Sequence, residues 1–248
     1  MLLFTVFNAF TAFAAGNTTI LIARLFSGLP HGAFFGVGSV VASRLAGKGK
    51  EARAISVMFS GLTVANLLMV PIGTGGLFCW ISYIAPLMTG VAHFSPNTVP
   101  YILILAGIGM LVGNFVGGKL ADTYPPATAC MICMLGIAAC LIIDYFVASS
   151  QPATLIMTFI TGAVTFTLGT PLQILMIRTA GEAEMLGASA SQAAFNIGNA
   201  LGAFWGGLPI AAGYGYASPL LIGTVMALCG VFFTWFLIRQ QKQLTLSA

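Results

Sequence analysis

Apolar runs of membrane length recur along most of the chain, separated by short connections rich in Gly, Pro, Ser and Asn. A helix needs roughly 17–25 such residues to cross a bilayer. The pattern predicts helical spans at 1–16, 19–43, 54–74, 100–118, 126–148, 153–177, 185–211 and 218–238, with a shorter apolar stretch at 76–91. The fold class expected is an all-α membrane protein, a polytopic bundle of about eight spanning helices. The stretch 76–91 is expected not to cross independently: it lies in the outer interface, re-enters partway, or prolongs the preceding helix after a break at Gly73, Gly75 and Gly76.

Small and polar residues interrupt these runs at helical spacing. Gly28, Gly32 and Gly36 fall four apart, as do Gly109, Gly113 and Gly117, and Gly198, Gly202 and Gly206. Each set shares one helix face, where a second helix can approach backbone to backbone. Gln192, Asn196 and Asn199 form one stripe that either lines a cavity or supplies interhelical hydrogen bonds, and Gln173 after Pro171 shares that ambiguity. Arg24 is a charge inside a hydrophobic span, which needs a partner or water, and is the leading candidate for a polar path. His31 follows the kink expected at Pro30 and can titrate near neutral pH. Asp144 is expected to sit solvated near an outer helix end, and Asp122 with Lys119 to organise a turn.

Composition agrees with this reading. The chain is 58% hydrophobic and 6% charged, against soluble norms of about 45–50% and 25%. So little charge cannot cover a water-facing surface. The net charge of +4 does not imply nucleic-acid binding, because the cations stand singly or at helix ends. They orient the chain instead. Arg44, Lys48, Lys50, Arg53, Lys119, Arg178, Arg239 and Lys242 all belong to one side, taken as cytoplasmic, while 148–152 and 213–218 carry no Lys or Arg. Three crossings between Arg53 and Lys119 would break that scheme and two preserve it, which is why 76–91 is denied a crossing of its own.

The five cysteines, Cys79, Cys130, Cys133, Cys140 and Cys229, all lie in apolar runs and read as small buried residues. Cys130-Met-Ile-Cys133 has no second pair and no nearby His, so no metal site is expected. Met1–Ala15 lacks a basic n-region and reads as a first span, not a signal peptide.

Several strings resemble the major facilitator superfamily, and within it the drug:proton antiporter branch near the arabinose-inducible and chloramphenicol-resistance-type efflux permeases. They are Arg24-Leu-Phe-Ser-Gly-Leu-Pro-His-Gly-Ala-Phe-Phe-Gly-Val-Gly38, Ser60-Gly-Leu-Thr-Val-Ala-Asn66 through Val70-Pro-Ile-Gly73, Gly118-Lys-Leu-Ala-Asp122, Thr170-Pro-Leu-Gln173 and Gln192-Ala-Ala-Phe-Asn-Ile-Gly198. The resemblance implies Arg24 as the fourth-helix arginine, Val70–Gly73 as a degenerate antiporter motif, and Gly118 and Asp122 as the second-half loop motif. It also implies a twelve-helix family of which this chain starts at the third helix, with a join near Thr74–Gly76 running from the fifth helix into the seventh. The domains expected are therefore 1–74, a remnant of the N-terminal bundle, and 75–248, the C-terminal bundle with its first helix incomplete at 76–91.

No phosphate-binding Gly-x4-Gly-Lys-Ser/Thr loop is present, so the chain itself does not draw on ATP. The function expected is secondary active transport of efflux type, proton-coupled export of a drug or sugar-like solute from a bacterial inner (plasma) membrane. Arg24, His31, Asn66, Gln173, Gln192, Asn196 and Asn199 would lie on the path, and both termini would be cytoplasmic. The competing reading is a transport-inactive module that only packs with other helices. An enzyme is not expected, because two His and five acids placed mostly at helix ends cannot assemble a catalytic cluster. No cofactor is expected; the partners expected are the lipid bilayer, a small-molecule substrate and protons.

Overall fold

The computed structural model describes residues 70–179 and 184–246. These residues form α1 (Val70–Ile81), α2 (Ile84–Gly90), a 3-10 turn (Pro96–Thr98), α3 (Val99–Thr123), α4 (Pro126–Val147), α5 (Gln151–Thr167), α6 (Gly169–Thr179), α7 (Glu184–Ala211) and α8 (Ser218–Leu246). Prolines punctuate the bundle. They occupy the first turn of α3, α4 and α5, where the missing N–H costs nothing. Pro125 forces Tyr124 into an extended conformation (φ −119°, ψ 153°), and α3 stops there.

Close approaches at glycines fix the relative directions of six of the helices. Gly109, Gly113 and Gly117 of α3 meet the backbone of Phe159, Ala163 and Thr167 of α5, in increasing order, so these two helices run parallel. Gly73 lies on Gly230 and Gly76 on Gly223, so α1 and α8 run antiparallel. Gly75 and Cys79 meet Gly202, and Tyr83 meets Gly206 and Gly207, so α1 and α7 run parallel. Helix α4 opposes α8, with Leu141 at Gly223 and Met134 at Gly230. The result is a closed ring in the order α3, α5, α4, α8, α1, α7, α6 and back to α3. The C-terminal ends of α3, α6 and α8 point one way, which places Lys119, Arg178 and Arg239 at one end of the bundle. The connections 91–95, 148–150 and 212–217 gather at the other. There the Gln151 carboxamide donates to the Ala92 and His93 carbonyls at 3.0 and 3.1 Å, and Tyr216 packs on Gly90.

Apolar side chains point both ways. Trp80, Met88, Ile102, Met134, Leu141, Leu172 and Met226 are fully buried, while Tyr101, Ile104, Phe115, Phe146, Phe204 and Phe232 stand outward. This is the surface of a protein solvated by lipid, where helix cohesion comes from close packing and hydrogen bonds more than from hydrophobic burial. Four stretches, Pro96–Thr123, Pro126–Val147, Gln151–Thr179 and Ser218–Arg239, are each long and apolar enough to cross a membrane, and the bent α1–α2 pair would make a fifth. Helix α7 has the length, at 28 residues, but its polar residues keep it out of that group. The expected spans 1–16, 19–43 and most of 54–74 lie outside the described residues, so the count of about eight is neither reached nor denied.

Two expectations change. The chain does not break at Gly73, Gly75 and Gly76; α1 runs straight through them. Those glycines sit against α7 and α8, and the contact holds the helix where propensity alone would weaken it. The bend, 42°, falls at Ser82–Tyr83 instead, so the boundary placed between residues 74 and 75 lies inside a helix. The span expected at 153–177 stands within one membrane-length stretch, Gln151–Thr179, with a local turn at Leu168, where Pro171 removes a helical donor. Gly118 and Asp122 lie in the last turns of α3, not in a loop. Asp122 is exposed and forms no ion pair among the described residues. The turn is closed by the Thr123 hydroxyl donating to the Lys119 carbonyl at 2.7 Å and the Tyr124 N–H donating to the Leu120 carbonyl at 3.0 Å.

Candidate substrate cavity

A cavity of about 330 Å³ lies beside the turn at Leu168 between α5 and α6. Its walls come from Asn114 of α3, from Thr165 and Phe166 of α5, from Gly169, Thr170, Leu172, Gln173 and Ile174 of α6, and from Ser191, Gln192 and Phe195 of α7. Gln173 and Gln192, read from the sequence as path residues, are thus brought to one chamber from two helices. The chamber lies toward the end of the bundle that carries Lys119 and Arg178.

The lining contributed by the described residues is uncharged. Three carboxamides (Asn114, Gln173 and Gln192) and the hydroxyls of Thr165, Thr170 and Ser191 share the lining with two phenyl rings. Thr165 donates to the Thr161 carbonyl at 2.6 Å, so its hydroxyl is partly committed to its own helix. The Gln173, Gln192 and Asn114 side chains are exposed, and none bonds to a described residue. Ser191 differs. It is 7% exposed, yet its hydroxyl has no hydrogen-bond partner among the described residues. A buried hydroxyl without a partner is uncommon and costs about 1–3 kcal/mol.

Asn196 and Asn199 do not reach this cavity. Both are exposed on α7, on the face that carries Gln192, and neither bonds to a described residue. Gly198, Gly202 and Gly206 are buried beside them and receive α1. Arg24, His31, Asn66, Gly28, Gly32 and Gly36 lie outside the described residues.

Two polar features were missed from the sequence. Thr154, Thr158, Thr161 and Thr165 are all buried on one face of α5; their spacing of four, three and four is the signal that marks such a face. Asn114 is the lone amide in the apolar run of α3. Asp144 is a correction: it is 5% exposed, not solvated, and its carboxyl oxygen accepts a hydrogen bond of 2.6 Å from Thr161. The α4–α5 seam turns it inward, three residues before the helix ends.

Four membrane-length helices, beside a cleft that the described residues line with uncharged polar side chains, make a polytopic membrane protein. Residues 74–247 match the profile of the Major Facilitator Superfamily. The chain is 31% identical to the inner membrane transport protein YdhP of Escherichia coli (strain K12), over 98% of this chain and 79% of that protein. It is 31% identical to AraJ of the same strain, over 84% of this chain and 69% of AraJ. The MFS-type transporter YtbD of Bacillus subtilis (strain 168) is 28% identical over 98% and 78%. The chain belongs to the Major Facilitator Superfamily. The match to YdhP runs over 307 positions, more than the 248 residues of this chain, so part of that relative has no counterpart here.

Proposed function

We propose that the chain is a secondary transporter of efflux type that exports a small molecule in exchange for protons, with the cavity between α3, α6 and α7 on its solute path. The observation that carries this reading is the meeting of Gln173 and Gln192 across an uncharged chamber in a chain whose relatives include named transport proteins. Polar side chains at membrane depth face a bundle interior or water, not lipid. The exposed stripe Gln192, Asn196 and Asn199 is therefore read as part of the same polar path. Arg24 and His31 would supply charge or protonation on the path, and Asn66 a polar group. The unit 1–74 would stand as the remnant of the N-terminal bundle, and 75–248 as the C-terminal bundle.

The name of YdhP supports a bacterial inner membrane. The shared end of Lys119, Arg178 and Arg239 would face the cytoplasm with both termini, since cationic ends are retained there.

Transport is tested in everted vesicles energised to an acid interior and loaded with a quenched acridine dye. Addition of exported solutes should release protons and restore fluorescence, and Arg24→Ala should abolish the response. A well-folded chain that answers no solute in a broad panel refutes the reading and leaves an inactive helical module. For orientation, single cysteines at His93 and Lys119 should react from opposite sides; labelling of position 93 from the cytoplasm refutes that part.

A further inference from the structure

Asp144 is an acid buried in a membrane-length helix, 5% exposed in the seam between α4 and α5. The row of four buried threonines facing that seam treats it differently from everything else. Thr154, Thr158 and Thr165 donate to the carbonyls of Val147 at 3.1 Å, Thr154 at 2.8 Å and Thr161 at 2.6 Å, so their hydroxyls serve the backbone. Thr161 alone of the four gives its hydroxyl to a side chain, donating to Asp144 Oδ2 at 2.6 Å. Asp144 makes no other hydrogen bond or ion pair to a described residue, so Oδ1 stands open inside the seam. We propose that Asp144 is a reversible proton-binding site within the bundle, with Oδ1 taking the proton and Thr161 holding the group in both states. Protonation at Oδ1 removes the charge and leaves Oδ2 a carbonyl oxygen, which still accepts from Thr161, so one geometry serves both forms. Intramembrane acids so placed mark ion pathways. Cys140, one turn earlier on α4, is close enough to interact with Asp144 electrostatically. The other helices packed on α4 bring no charged group near: α1, α5 and α8 as far as Ile238 carry no Asp, Glu, Lys, Arg or His. Lys119 and Asp122 of α3 and Arg178 of α6 stand at the opposite end of the bundle, and His93 lies exposed in a connection at the near end. Asp144 is about 6 Å of helix rise from Ala148, which the exposed Ser149 and Ser150 follow. On the other side Thr165, about 6 Å beyond Thr161, lines the cavity. In the transport reading above, on which this use rests, a proton held between the outer connection and the chamber is one ready for exchange.

The site is tested through its own proton. N,N′-dicyclohexylcarbodiimide is lipid-soluble and adds to protonated carboxyls. The purified full chain in detergent is treated with it in buffers of rising pH, and the adduct is located by peptide mass spectrometry. Asp144 is expected to carry the adduct in acid and to lose it about tenfold per pH unit above the midpoint, as the protonated fraction of a single group falls. A water-soluble carbodiimide should mark exposed Asp122 in its place. Proton counting with an indicator dye over the same range should find about one proton fewer taken up by Asp144→Asn. The Asn oxygen can still accept from Thr161, so this variant should melt as the parent does. Thr161→Val should move the labelling midpoint and Thr161→Ser should restore it; a midpoint unmoved by Thr161→Val overturns the holding role of Thr161. Asp144 unlabelled at every pH, or labelled equally at every pH, overturns the inference, as does an equal proton count in folded Asp144→Asn. The labelling is read on the parent chain, so a variant that fails to fold does not shield the inference. Failure here leaves the vesicle assay able to succeed through Arg24 and His31, whereas a labelled Asp144 in a chain that answers no solute refutes transport alone.

Discussion

The seam between α3 and α5 makes a quantitative forecast. Gly162 of α5 lies against the Ala106 backbone, and a Cβ placed on it would stand 2.6 Å from the Ala106 carbonyl oxygen and 3.4 Å from the carbonyl carbon. Ordinary contact to that oxygen begins near 3.4 Å, and backbone cannot swing aside as a flexible side chain can. Gly162→Ala must therefore separate the helices by roughly 0.5–1 Å, a gap that forfeits a quarter to a half of each dispersion contact along the seam. Overpacking of this kind costs about 1–3 kcal/mol, or roughly 2–12 °C in melting temperature for a chain of this size. Gly113→Ala should be worse, because its Cβ would fall still closer to the Ala163 carbonyl. Gly107 and Gly118, also on α3, have nothing within 4 Å, so Gly107→Ala and Gly118→Ala report only the gain in helix propensity and should stabilise by about 0.5–1 kcal/mol. Thermal unfolding in detergent, followed by tryptophan fluorescence, compares the four. If Gly162→Ala and Gly113→Ala melt with or above Gly107→Ala, the close-packing argument is wrong.

Other perturbations follow from the same contacts. Thr161→Val removes the donor to buried Asp144 and should cost about 1–3 kcal/mol, whereas Thr161→Ser should restore most of it; unfolding midpoints in detergent decide between them. Tyr83→Phe deletes the 2.6 Å hydrogen bond from the bend to the Ala203 carbonyl and should cost about 0.5–1.5 kcal/mol. It should also speed proteolysis of the 82–95 segment, and an unchanged cleavage rate would count against a clamp at the bend. Gly76→Ala, whose Cβ would lie 2.6 Å from the Gly223 carbonyl, should destabilise by about 1–3 kcal/mol, in line with Gly162→Ala. A melting point equal to the parent's would show that α1 and α8 are not in close register.

The linear chain was enough to decide the solvent and the class of fold. Apolar runs of bilayer length leave helices as the only way to satisfy the backbone in lipid, and the runs at 100–118, 126–148, 185–211 and 218–238 each became part of one helix. The sets Gly109–Gly117 and Gly198–Gly206 marked faces by spacing alone, because helical periodicity is a local property. Which neighbour each face meets is not local. Only the packed structure put α3 on α5 and α1 between α7 and α8. It also kept α1 straight through three glycines, since contact with two neighbours outweighs a propensity deficit of roughly 1 kcal/mol per glycine. Asp144 turned inward for the same reason: proximity to a helix end says nothing about which side of the helix another helix covers. The chamber was half legible. Gln173 and Gln192 stood out as amides at membrane depth, but they lie on separate helices, and Ser191 and Asn114 joined them only through tertiary packing.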